Sequence, residues 1–136
     1  MAKVKHLPTL DYRLLIAPTF NEREQRYKTL FKLETTQLFS TFTYDLSVRE
    51  EHSGRAFRFT ILGLKAPQLS LPRAGHAQFS REYDDLRGTY EITIKGLDGR
   101  TNSFWVRISD KKVALLKASP RRFVEVFVDK SHWLSH

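Results

Sequence analysis

Residues 88 to 109 read GTYEITIKGLDGRTNSFWVRIS, and the fold class turns on them. Tyr90, Ile92 and Ile94 alternate with polar neighbours, as do Phe104, Val106 and Ile108, and Gly96 and Gly99 stand between the two runs. Period-two alternation on either side of a glycine-containing turn predicts a β-hairpin with one apolar face. Trp105 falls on the opposite face, beside Arg107. Such a residue either recognises a ligand or packs under a second layer. A large apolar ring gains more from burial than from solvent, so the sequence favours packing, beneath a helix or a second sheet.

The same alternation extends outward from this hairpin. QLFSTFTYDLSVRE (37–50) predicts the longest strand, with Leu38, Ser40, Phe42, Tyr44, Leu46 and Val48 on one face. EEHSG then predicts a turn in which Gly54 supplies positive φ. RAFRFTILGL (55–64) returns with Phe57, Phe59 and Ile61 on one face. After the central hairpin, KKVALLKA (111–118) is a short strand. SPRRFVEVFVD (119–129) places Phe123 and Phe127 on one side and Val124, Val126 and Val128 on the other, the pattern of a strand buried on both faces.

The ends and the middle read differently. DYRLLI (11–16) is a short strand that Pro18 would stop. In TFNEREQRYKTLFKLE (19–34), Thr19 and Glu22 have capping-box spacing, and Phe20, Tyr27, Leu30 and Phe31 recur at helical spacing. That predicts one short amphipathic helix near the N-terminus. Residues 65 to 86 hold no period; QLSL (68–71) between prolines suits an edge strand, and the remainder reads as loop. KSHWLSH (130–136) is expected to fray unless Trp133 docks. The fold expected is a single mainly β domain over 1–136, an antiparallel β-sandwich or partly closed barrel with that one helix.

Composition narrows function by exclusion. The chain has 136 residues, long enough to bury about two-thirds of its extended surface without staples. It has no cysteine, which excludes disulfides, thiolate nucleophiles and cysteine-ligated zinc. The longest apolar run near the N-terminus is LLIA, too short for a signal core or a bilayer span. The expectation is a soluble, cytoplasmic protein with no membrane insertion. His76, Glu82, Asp84 and Asp85 share the irregular stretch but match no metal or catalytic spacing. No GxSxG, Walker loop or GxGxxG is present, so no enzyme, cofactor, catalytic residue or metal site is assigned.

The formal charge is +8, from 23 basic and 15 acidic side chains. Residues 1–37 carry net +3, 38–65 net +1, 66–100 zero and 101–136 net +4, so any basic patch must be assembled by the fold. Two sets are candidates for contact with a partner or nucleic acid. Arg58, Lys95, Trp105 and Arg107 stand opposite the apolar ladders. Lys111, Lys112, Lys117, Arg121 and Arg122 gather in the last third. The function expected first is a non-enzymatic binding or structural module acting by protein–protein association, with another protein or a second copy of itself. The alternative is nucleic-acid binding through a basic sheet face or basic turns.

Overall fold

A computed structural model describes residues 11–39, 45–65 and 75–135. Nine strands and one helix follow in chain order: β1 Tyr12–Asn21, β2 Arg26–Phe39, β3 Asp45–Ser53, β4 Ala56–Lys65, β5 Gly75–Tyr83, β6 Gly88–Lys95, β7 Thr101–Ile108, β8 Val113–Ala118, β9 Val124–Phe127 and α1 Lys130–Leu134. All nine strands form one sheet in the order β8-β7-β6-β4-β3-β5-β2-β1-β9, curled into a half-barrel. The mainly β class and the barrel-like alternative therefore hold, and the sandwich does not. The sheet is mixed: β1 with β9, β3 with β5, and β4 with β6 run parallel. Among the described residues no helix is long and apolar enough to cross a membrane.

The half-barrel exists because each strand has one strongly apolar side. Leu14 and Ile16, Phe31 and Leu33, Phe57, Phe59 and Ile61, Ile92 and Ile94, and Phe104, Val106 and Ile108 all turn inward and are buried. Phe31 packs its ring against Phe57 and Phe59 with centroids 5.3 and 5.5 Å away. Each such ring removed from water contributes about 1.5–3 kcal/mol.

Three expectations are corrected. The helix near the N-terminus is absent: residues 19–34 form the end of β1, a turn and most of β2, with Thr19 opposite Lys28 and Phe20 opposite Tyr27. The spacing misleads because β2 is buried on both sides. Phe31 faces the barrel, whereas Leu30 packs on the outside against a second apolar cluster. Pro18 does not stop β1, since β9 pairs only with Tyr12–Leu15 and the strand is an edge by residue 18. Residues 37–50 are not one strand either. Their ends belong to β2 and β3, which β5 separates in the sheet, and 40–44 lie outside the described residues.

The stretch 65–86, expected as loop, holds β5, whose inward ladder is Ala77, Phe79, Arg81 and Tyr83. The edge strand expected at 68–71 lies outside the described residues. Gly54 has φ of +57° in the β3–β4 turn, as anticipated. The C-terminal segment docks as α1. Asp129 caps it by accepting from the Ser131 N–H, and Trp133 lies edge-on to Phe127 with centroids 5.6 Å apart.

Candidate functional site

The outer surface of the half-barrel divides in two. Over β1 and β9, α1 lays Trp133 on Leu15, Ala17 and Phe127 and buries them. The other half, formed by β3, β4, β6, β7 and β8, carries Trp105, which is partly exposed and not beneath α1. The burial expected for Trp105 is thus corrected: the helix is C-terminal, and it covers the far half of the sheet.

Pairing register fixes what surrounds Trp105, because paired residues share a face and neighbouring strands are about 4.8 Å apart. One row runs Ser53, Ala56, Glu91, Trp105, Lys117. The next runs Glu51, Arg58, Thr93, Ser103, and a third Arg49, Thr60, Lys95, Thr101. On the other side of Trp105, Thr89, Arg107 and Ala114 form a fourth. The parallel pairing of β4 with β6 therefore places Arg58, Lys95, Trp105, Arg107 and Lys117 on one face. Arg49 joins them, a residue the sequence reading missed because nothing local to β3 marks which strand lies beyond β4.

The cations of this face differ in their pairing from six others of the molecule. Arg13, Arg26, Lys28, Arg81, Arg87 and Arg100 each meet a carboxylate. Among the described residues, Arg49, Arg58, Lys95, Arg107 and Lys117 make no ion pair. Glu51 and Glu91 share the face without engaging them. The Lys117 ammonium lies 5.4 Å from the Trp105 ring centroid, within cation–π range. Thr60 is buried between Arg49 and Lys95, and its hydroxyl has no hydrogen-bond partner among the described residues.

The remaining basic candidates do not join this face as one patch. Lys111 and Lys112 occupy the β7–β8 turn, whereas Arg121 and Arg122 lie in the β8–β9 connection at the opposite end of β8. All four are exposed.

The acid–base candidates are dispersed. A His76 ring nitrogen contacts the Thr35 carbonyl at 2.7 Å, Glu82 reaches Asn21, and Asp84 pairs with Arg26 and Lys28. Among the described residues no three His, Asp or Glu side chains are placed to hold a metal ion.

A separate titratable cluster lies inside the barrel mouth, where the Tyr83 hydroxyl donates to the Glu50 carboxylate and Arg81 pairs with the same group. Burial, then that hydrogen bond and the charge of Glu50, push the Tyr83 phenol up; burial and the charges of Asp11 and Asp98 raise Tyr12. Both shifts disfavour the phenolate in the folded chain. Their contribution to stability is complete below the ordinary phenol value of about 10 and is lost as pH rises through the folded values. An absorbance titration should therefore show Tyr12 and Tyr83 ionising above the ordinary phenol range, with stability declining above pH about 10. Ionisation of Tyr12 and Tyr83 at the ordinary phenol value in the folded protein would contradict this placement.

Comparison with family models, with curated proteins and with solved structures finds no match.

Proposed function

We propose that this chain is a non-enzymatic binding module whose ligand is single-stranded nucleic acid, held on the outer face of β3, β4, β6, β7 and β8. The observation that carries the reading is the set of five cations on the face of Trp105, none of them in an ion pair among the described residues, whereas Arg13, Arg26, Lys28 and Arg81 on the other strands are paired. Unpaired cations on one surface raise the potential there and attract polyanions. A partly exposed indole among them offers a stacking plane for an unpaired base while guanidinium and ammonium groups meet phosphate. Among the described residues this face is built of strands alone and presents no helix to a duplex groove, which favours a single strand.

Protein–protein association is the second reading. Its support is the exposure of Leu115 and Leu116 on β8, an edge strand of the sheet. Against it, β8 carries a register shift opposite Trp105 and Val106, and bulges with nearby lysines are how edges resist strand addition.

Fluorescence anisotropy with labelled oligonucleotides over a salt series tests the proposal. Single strands should bind near micromolar at about 50 mM salt, with a log–log salt slope of about −3 for four to five phosphates engaged. Trp105→Ala should weaken binding about tenfold or more, by the loss of one stacked base. Arg58→Gln or Arg107→Gln should flatten the salt slope by about 0.7 each. Absence of binding at that salt, or binding indifferent to all three substitutions, sinks the reading and puts protein association first.

A further inference from the structure

β9 pairs with only four residues of β1, from Tyr12 to Leu15, although β1 continues to Asn21. Beyond Leu15 the far side of β1 has no strand among the described residues, and a cleft of about 450 Å³ opens between it and the start of β8. Ala17 and Pro18 of β1, Val113 of β8 and Val128 give it an apolar floor. Lys111 and Lys112 from the β7–β8 turn and Lys130 from α1 line the same cleft, with Tyr27, about half exposed, on its wall.

The charges do not cancel. Lys111 and Lys112 make no ion pair among the described residues, and the Lys130 ammonium meets only the Thr19 hydroxyl, at 3.0 Å. The one carboxylate in the lining, Asp129, accepts from the Ser131 N–H and hydroxyl at 2.7 and 2.6 Å. Three ammonium groups around a low-dielectric concavity repel one another and focus a positive potential into it. The volume suits a small organic ligand.

We infer that this cleft is an anion-binding site, separate from the face around Trp105, for a phosphate ester or anhydride carried on a small organic body. The lysines act as point charges toward phosphate oxygens, and the valine, alanine and proline floor with the Tyr27 ring receives the body.

Adenosine diphosphate, adenosine and inorganic pyrophosphate are the probes, titrated into the full chain by calorimetry and followed by backbone amide shifts. Adenosine diphosphate should bind below about 1 mM, adenosine should not bind measurably, and pyrophosphate should bind more weakly than the nucleotide. The K111Q/K112Q variant alters only exposed turn residues and should lose at least about tenfold in affinity. Shifts should centre on Val113 and Val128. No binding at about 1 mM, affinity unchanged in K111Q/K112Q, or shifts centred on Arg58, Trp105 and Arg107 would each overturn the site. Equal affinity for pyrophosphate and the nucleotide would overturn the role given to the apolar floor.

Discussion

Replacing Glu34 with alanine should cost the fold about 3–5 kcal/mol, the usual loss when one member of a buried ion pair is removed. Glu34 is 3% exposed and accepts from Arg13 Nε at 3.1 Å. Arg13 in turn lies flat under α1, its guanidinium carbon 3.9 Å from the Trp133 ring centroid and 5.4 Å from that of Phe127, with Nη1 donating to the Trp133 carbonyl. Without Glu34 the guanidinium keeps its apolar lid and loses the carboxylate to which its Nε and Nη2 donate. The register also sets Glu125 of β9 beside Arg13. Urea unfolding of Glu34→Ala, compared with the double variant Arg13→Met/Glu34→Leu, checks the cause. The double variant removes both charges and should recover most of the loss. If Glu34→Ala lowers stability by less than about 1 kcal/mol, the arginine reaches water and the pair is not structural.

The second large effect should come from Asn102→Ala, at about 2–5 kcal/mol. Asn102 is 2% exposed and sits on the inward, otherwise apolar ladder of β7, between Phe104 and the turn. Its Oδ1 accepts from the Phe123 and Val124 N–H groups at 2.8 and 3.2 Å. These are the residues at which the chain leaves the β8 edge and starts β9 beside β1, so a single amide joins the two margins of the curled sheet. Alanine strands two buried donors, each costing about 1–3 kcal/mol. A fall in urea midpoint with unchanged slope, and faster hydrogen exchange at the Phe123 and Val124 amides, are the expected readouts. Native protection of both amides in Asn102→Ala would mean that another acceptor serves them.

The parts of this architecture that were legible in the sequence are those with local causes. The hairpin at 88–109 follows from two uninterrupted ladders and a glycine turn, and its register alone puts Trp105 opposite the core. β5 was hidden because Arg81 occupies an inward position between Phe79 and Tyr83 and breaks the alternation; its partner Glu50 lies in another strand. The false N-terminal helix arose from Leu30 and Phe31, adjacent apolar residues that serve opposite faces of β2. Asn102 gave no signal as a connector, because an asparagine next to a turn is ordinary. The candidate face was half legible. Arg58, Lys95 and Arg107 were chosen correctly as outward residues, but their convergence depends on β4 pairing with β6 across a sequence gap of more than twenty residues, which no periodicity records. The exposure of Trp105 was decided by where a five-residue helix lands, far along the chain.

The parallel pairing of β1 with β9 has a consequence for how the molecule is made. β1, already paired with β2, receives its second neighbour only when residues 124–127 have left the ribosome, and Trp133 follows later still. Until then Leu15, Ala17 and the Arg13–Glu34 pair stand without their cover, on a nascent chain that already holds the rest of the sheet. Contacts of such long sequence separation slow folding, and open apolar edges invite association between incomplete chains. Expression yield should therefore depend on residues 124–134 more steeply than their small share of the buried surface implies.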